Sequence, residues 1–143
     1  MLETTRTYRA KIVNHQQVSD DLDQCGFSAS KLWNVARYYT QGRWDDDGEI
    51  PDDSELKSEL KEHERYSDLH SQSSQRVLEE LAESFTSWYK TRQRGDEDAN
   101  PPGYRKHGDE HPRSTVTWKQ NGIKHDSKHN KLRLSKGFNL KNH

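Results

Sequence analysis

Long apolar runs are missing from this chain. No stretch approaches the roughly 20 consecutive apolar residues that cross a bilayer, so a membrane-spanning helix is excluded. Cysteine is almost missing too: a single Cys25 rules out an internal disulfide framework and every Cys-rich zinc motif. Aliphatic side chains are scarce, with Leu, Ile, Val and Phe together only 22 of 143 residues. Such scarcity alone points to disorder, but disorder also expects a large net charge, and the formal net is -1. The opening Met1–Arg6 has no long apolar stretch after its basic residue, so no secretory signal is read there, and a cytoplasmic protein is expected.

Aromatics and charges fill the gap. Four Trp and six Tyr add anchoring area that the aliphatic count misses. The small net charge conceals an asymmetry. Residues 1–100 hold 13 Lys/Arg against 21 Asp/Glu, whereas residues 101–143 hold 10 against 3 and five of the eight histidines. An acidic part followed by a basic tail suggests a polyanion-binding segment; the bland alternative is self-neutralisation, the basic end docked on the acidic one. Asp outnumbers Glu, 13 to 11, a pattern that suits high salt.

Residues 4–13 alternate, with Tyr8, Ala10 and Ile12 on one side, and read as a strand. Over 18–41 the apolar positions recur at steps of three and four, which predicts one helix, or two broken near Gly26 with Ser28 capping the second. Gly42 ends the pattern, and 43–53, with its acidic run, reads as a loop. A short helix is expected over 54–64, capped by Asp53, with Leu56 and Leu60 on one face. Ser71–Lys90 gives the clearest signal: Val77, Leu78, Leu81, Ala82, Phe85, Trp88 and Tyr89 form one core-facing stripe. Gly95, Asn100–Gly103, Gly108 and Pro112 mark 91–113 as a long loop. Residues 114–119 and 131–135 alternate again, Asn121-Gly122 resembles a tight turn, and Ile123 begins a further strand. A lone N-terminal strand is unstable, so it is expected to pair with the C-terminal strands. The fold expected is therefore α+β: a small β unit of residues 1–15 and 100–143, interrupted by a helical insertion over 16–99.

Catalytic signatures are lacking. There is no GxxxxGK[ST], GxSxG or HExxH. Asp45-Asp46-Asp47 and Asp52-Asp53 occur in runs, as solvated loop faces do, whereas two-metal hydrolysis needs carboxylates converging from separate elements. Cys25 lies on an apolar helix face beside Leu22 and reads as a buried thiol. His107/His111 and His125/His129 have zinc-compatible spacing but no Cys beside them, and read as exposed additions to a basic surface. Nucleic-acid binding is the remaining chemistry. Tyr104, Arg105, Lys106 and Arg113 put cations beside a ring, suited to phosphates and stacking. Trp118, Lys119, Gln120 and Asn121 add amides able to read base edges. Gln72, Gln75 and Arg76 emerge near the start of the strong helix, whose amino end favours anions. Taken singly, Trp118 also reads as a core residue and Gln75 as merely near a helix start.

Four segments together, LWNVARYY at 32–39, SSQRVLEELAESFTSWYK at 73–90, NPPGYRKHGDEHPRSTVTWKQNGIKHD at 100–126 and LRLSKG at 132–137, resemble haloarchaeal TnpB (OrfB-type) transposase proteins in this order. The resemblance spans roughly 5–143 and implies an oligonucleotide-binding-type β-barrel, the wedge domain, interrupted by a helical recognition domain. It implies RNA-guided DNA cleavage for the family, with guide RNA and DNA as partners. By position in the matching segments, Gln75, Lys119 and Gln120 would lie nearest the short DNA motif, with Gln72 and Arg76 as neighbours. Tyr104, Arg105, Lys106 and Arg113 would contact backbone, and Phe85, Trp88 and Tyr89 would be core. Family members carry a RuvC-like nuclease domain with three acidic residues and a Cys-rich zinc module. The chain stops at His143 without matching either, so the expectation is a non-catalytic, truncated N-terminal fragment needing no cofactor. The rival expectation is a helical protein-interaction module with a basic tail, favoured if Val77, Leu81 and Trp88 are exposed.

Overall fold

The computed structural model describes residues 8–106, 115–129, 131–137 and 140. Their order is α1 (His15–Asp47), α2 (Asp53–Leu60), α3 (Glu64–Asp68), α4 (Ser71–Gln93), a 3-10 turn at Gln120–Gly122, then β1 (Ile123–Asp126) and β2 (Lys131–Leu134). Helix and a small two-stranded sheet coexist, which is α+β in its loosest form.

The helices form because their sparse apolar residues are spaced to share one core. On α1, Cys25, Ala29, Leu32, Trp33 and Ala36 are buried at helical spacing. On α4 the buried side chains are Val77, Leu78, Leu81, Ala82, Phe85 and Trp88. Leu56 and Leu60 of α2 and Leu69 complete the cluster. Aromatic area compensates for few aliphatics: Trp44 meets Trp88 edge-on at 5.0 Å and Tyr89 at 5.8 Å, and Phe85 meets Trp88 at 5.8 Å. The Trp88 indole donates to the Ala99 carbonyl at 2.9 Å, tying the end of the loop after α4 to the core.

The sequence pattern placed several boundaries incorrectly. α1 runs unbroken for 33 residues through Gly26 and Gly42 and takes in Asp45–Asp47. A Cβ at Gly42 would meet nothing, so that glycine costs the helix only its own flexibility. Gly48, in the left-handed region at φ 71°, is the true stop. Ser28 caps nothing: it is buried in mid-helix and donates to Asp68 Oδ2 at 2.7 Å. The cap of α2 is Asp52, whose carboxylate accepts from the Glu55 amide at 2.8 Å, and α2 ends at Leu60. α3 was not anticipated.

The β unit departs further. Residues 8–13 form no strand, and neither do 115–119, while 1–7 and 114 lie outside the described residues. Tyr8 and Val13 are exposed rather than packed. Among the described residues the sheet is the antiparallel pair β1–β2, in register Ile123↔Leu134 to Asp126↔Lys131, and closes no barrel. The hairpin is pinned at its base. Trp118 donates to the Ser135 carbonyl at 2.7 Å, and the Ser135 amide to the Gly122 carbonyl at 2.9 Å. Beyond β2, Leu69 bridges Lys136, the Gly137 amide donates to the Asp68 carbonyl at 2.9 Å, and Lys136 Nζ reaches Asp21 at 3.0 Å. Gly137 lies so close to the Ser67 and Leu69 carbonyls that no side chain fits there.

Candidate nucleic-acid interface

α4 points a row of carboxylates at the cations that a polyanion site would use. Glu79 accepts from Lys57 of α2 at 3.2 Å, from Arg76 one turn earlier at 3.3 Å and from Lys119 at 3.2 Å. Glu80 pairs with Arg76 at 3.3 Å and Arg105 at 3.4 Å, and Glu83 takes Arg76 at 3.3 Å. Partial burial pushes the Glu79 carboxyl up, but hydrogen bonds from Lys119, Lys57 and Arg76 outweigh it and hold the group below its ordinary value. Between α2 and α4 lies a groove of about 490 Å³, lined by Asp52, Asp53, Glu79 and Glu83 together with Lys90 and the small side chains Ala82, Thr86 and Ser87. Self-neutralisation is thus realised at Arg76, Arg105 and Lys119, three of the cations singled out in the sequence.

A second cluster joins α1 to the Pro-Pro-Gly loop. Trp33 donates to the Gly103 carbonyl at 2.9 Å and Arg37 Nε to the Pro102 carbonyl at 3.0 Å. Asn34 clamps Arg105 from both sides, accepting from its amide at 2.7 Å and donating to its carbonyl at 2.9 Å. The Arg105 guanidinium lies over the Trp33 ring, 3.9 Å from its centroid, and Arg37 lies 4.5 Å from the centroid of Tyr104. Tyr104 and Lys106 are exposed. Trp33, Asn34 and Arg37 carry this geometry and went unnoticed in the sequence, because their partners lie 65 to 71 residues away.

The third cluster is the hairpin. Lys124, Lys128, Lys131 and Arg133 are all exposed and form no ion pair among the described residues. Lys124 stands opposite Arg133 in the ladder. Like charges directly across a strand pair repel, so this ribbon stores a repulsion that a bound anion relieves. The sequence reading recognised the basic tail but named none of these residues. The strand register was the missing signal.

The other candidates are scattered. Gln72 and Gln75 lie half-buried in the first turns of α4, and the Gln72 side-chain oxygen is buried without a partner. His70 caps that helix by accepting from the Gln72 amide at 3.3 Å. Gln120 is exposed at the start of the 3-10 turn. Arg113, His107 and His111 lie outside the described residues. His129 turns to Asp126, with Nδ1 at 2.8 Å, and among the described residues no three His, Cys, Asp or Glu side chains gather as a metal site would. Cys25 is buried, and burial pushes its thiol up to about 11, as suits an inert core residue. No protein-family model, no curated protein and no solved structure matches this chain.

Proposed function

We propose that this chain binds nucleic acid without cutting it, acting as the wedge-and-recognition part of a TnpB-type RNA-guided endonuclease, with guide RNA and DNA as ligands. In this reading β1 and β2 are two strands of a wedge-type barrel. The supporting observation is the unrelieved Lys124–Arg133 pair on an exposed ribbon with two further lysines. The one carboxylate of the ribbon, Asp126, stands opposite Lys131 and is turned to His129, so phosphates supply countercharge to Lys124 and Arg133, while the body's carboxylates take Arg76, Arg105 and Lys119. The rival docking role has no surface to use in α4, because Val77, Leu81 and Trp88 are buried.

A salt titration of guide-type RNA and duplex DNA tests the reading. Affinity falls steeply with salt, and replacing Lys124 and Arg133 together by Ala lowers the slope by about two, since each phosphate contact releases about one counterion. Absence of binding at ~50 mM salt rejects the proposal. Nicking of DNA by the purified chain, abolished by EDTA, rejects its non-catalytic part.

A further inference from the structure

Within the acidic part of the chain, the middle of α1 is free of carboxylates. From Gln24 to Trp44, α1 carries Lys31, Arg37 and Arg43 and no Asp or Glu. Asn34, Arg37 and Tyr38 fall on one face of this stretch at helical spacing, and residues 102–105 are strapped across the first two. The strap lays the Tyr104 ring on the Arg37 guanidinium, whose Nη1 also donates to the tyrosine hydroxyl at 3.3 Å. Arg37 forms no ion pair among the described residues. Its planar head is therefore spent on orienting a ring. Tyr38 is 75% exposed and Tyr104 is 52% exposed. Two large rings held in water, beside a cation and with Lys106 following, are costly for a protein this short of apolar surface to bury.

We propose that Tyr38, Arg37 and Tyr104 form a stacking platform for unpaired bases, so that the chain takes a single strand across α1 as well as phosphates on the hairpin. This rests on the nucleic-acid reading above and adds a second, separate surface to it. The ring faces receive bases, whose π-faces stack on aromatic side chains irrespective of sequence. Arg37 holds the Tyr104 ring in place, and the exposed Lys106 meets the phosphates. An acidic peptide would use the cations but not the rings, and this difference makes the platform testable.

The experiment compares a short oligoadenylate, as DNA and as RNA, with an abasic oligomer of the same phosphate count. The full chain binds the base-bearing oligomer more tightly, by about tenfold for each ring that stacks. Tyr38→Ala and Tyr104→Ala each erase part of that preference while leaving the salt slope unchanged. Tyr104→Phe retains the preference, and the Lys124/Arg133 double Ala variant lowers affinity for both oligomers equally. Helical content, followed by circular dichroism, is unchanged in Tyr38→Ala because its side chain is solvated. Equal binding of base-bearing and abasic oligomers by the unaltered chain, or Tyr→Ala variants that keep the preference, overturns the platform and leaves the hairpin reading standing. Failure of the unaltered chain to bind either oligomer overturns both.

Discussion

Glu79 on α4 gathers three cations within 3.3 Å, whereas Lys124 on the hairpin faces Arg133 directly across the ladder, and neither forms an ion pair among the described residues. The two regions also differ in what they bury. The helical body encloses a core in which Leu32, Leu78 and Phe85 reach 0% exposure, while the hairpin leaves Leu132 67% exposed. Around α4 the body is closed in packing and in charge. The hairpin is complete in neither and is held by its base, through Trp118, Gly122, Ser135 and Gly137. An unsatisfied element carried on a satisfied one is how a rigid scaffold presents a binding surface.

The largest expected effect tests the packing half of that contrast. Phe85→Ala opens a cavity at the centre of the body and destabilises the protein by about 3–5 kcal/mol in a denaturant melt. Leu132→Ala changes stability by less than about 0.5 kcal/mol, because the leucine is already in water. Similar losses from the two substitutions break the contrast.

What could be read from the sequence follows the same division. The α4 stripe was legible because all its buried positions lie within one helix and repeat every three or four residues. α1 was legible over its middle but not at its end: a glycine in a helix and a glycine ending one look alike, and only the left-handed backbone of Gly48 separates it from Gly42. Ser28 was misread because its partner, Asp68, lies 40 residues away. The same reason hid the ion pairs. Arg76, Arg105 and Lys119 are cations in any sequence reading, and only the approach of α2, the loop and residues 115–119 to α4 shows which carboxylates meet them. The N-terminal strand was inferred from alternation and partly β-branched composition, and neither carries information about a partner.

A smaller effect is expected at the node itself. Glu79→Gln keeps the shape but removes the charge that Lys57, Arg76 and Lys119 share, and costs about 1 kcal/mol. The folded carboxyl lies below its ordinary value, so its contribution is fully present above the unfolded pKa of about 4.3 and is lost as pH falls through the depressed folded value. Glu79→Gln therefore shows a shallower loss of stability on the acid side, and converges with the unaltered protein at low pH. The same variant frees cations beside the interface, so its affinity for nucleic acid rises and its salt slope steepens. A variant with unchanged acid sensitivity would show that the node contributes nothing.

The smallest effect sharpens the charge half of the contrast, because stability and binding move in opposite directions. Lys124→Glu converts the repulsive pair into an attractive one opposite Arg133 and stabilises the hairpin by a few tenths of a kcal/mol. Amide exchange at the inter-strand hydrogen bonds slows accordingly. Binding weakens in the same variant, since one phosphate contact is lost and a negative charge enters the site, and the salt slope falls by about one or slightly more. A residue retained for the fold alone would lose stability on substitution, and a surface lysine without a role would change neither quantity. Only a position where the chain gives up stability for an anionic ligand improves the fold while weakening the complex, and that combination distinguishes the hairpin from every paired cation on the helical body.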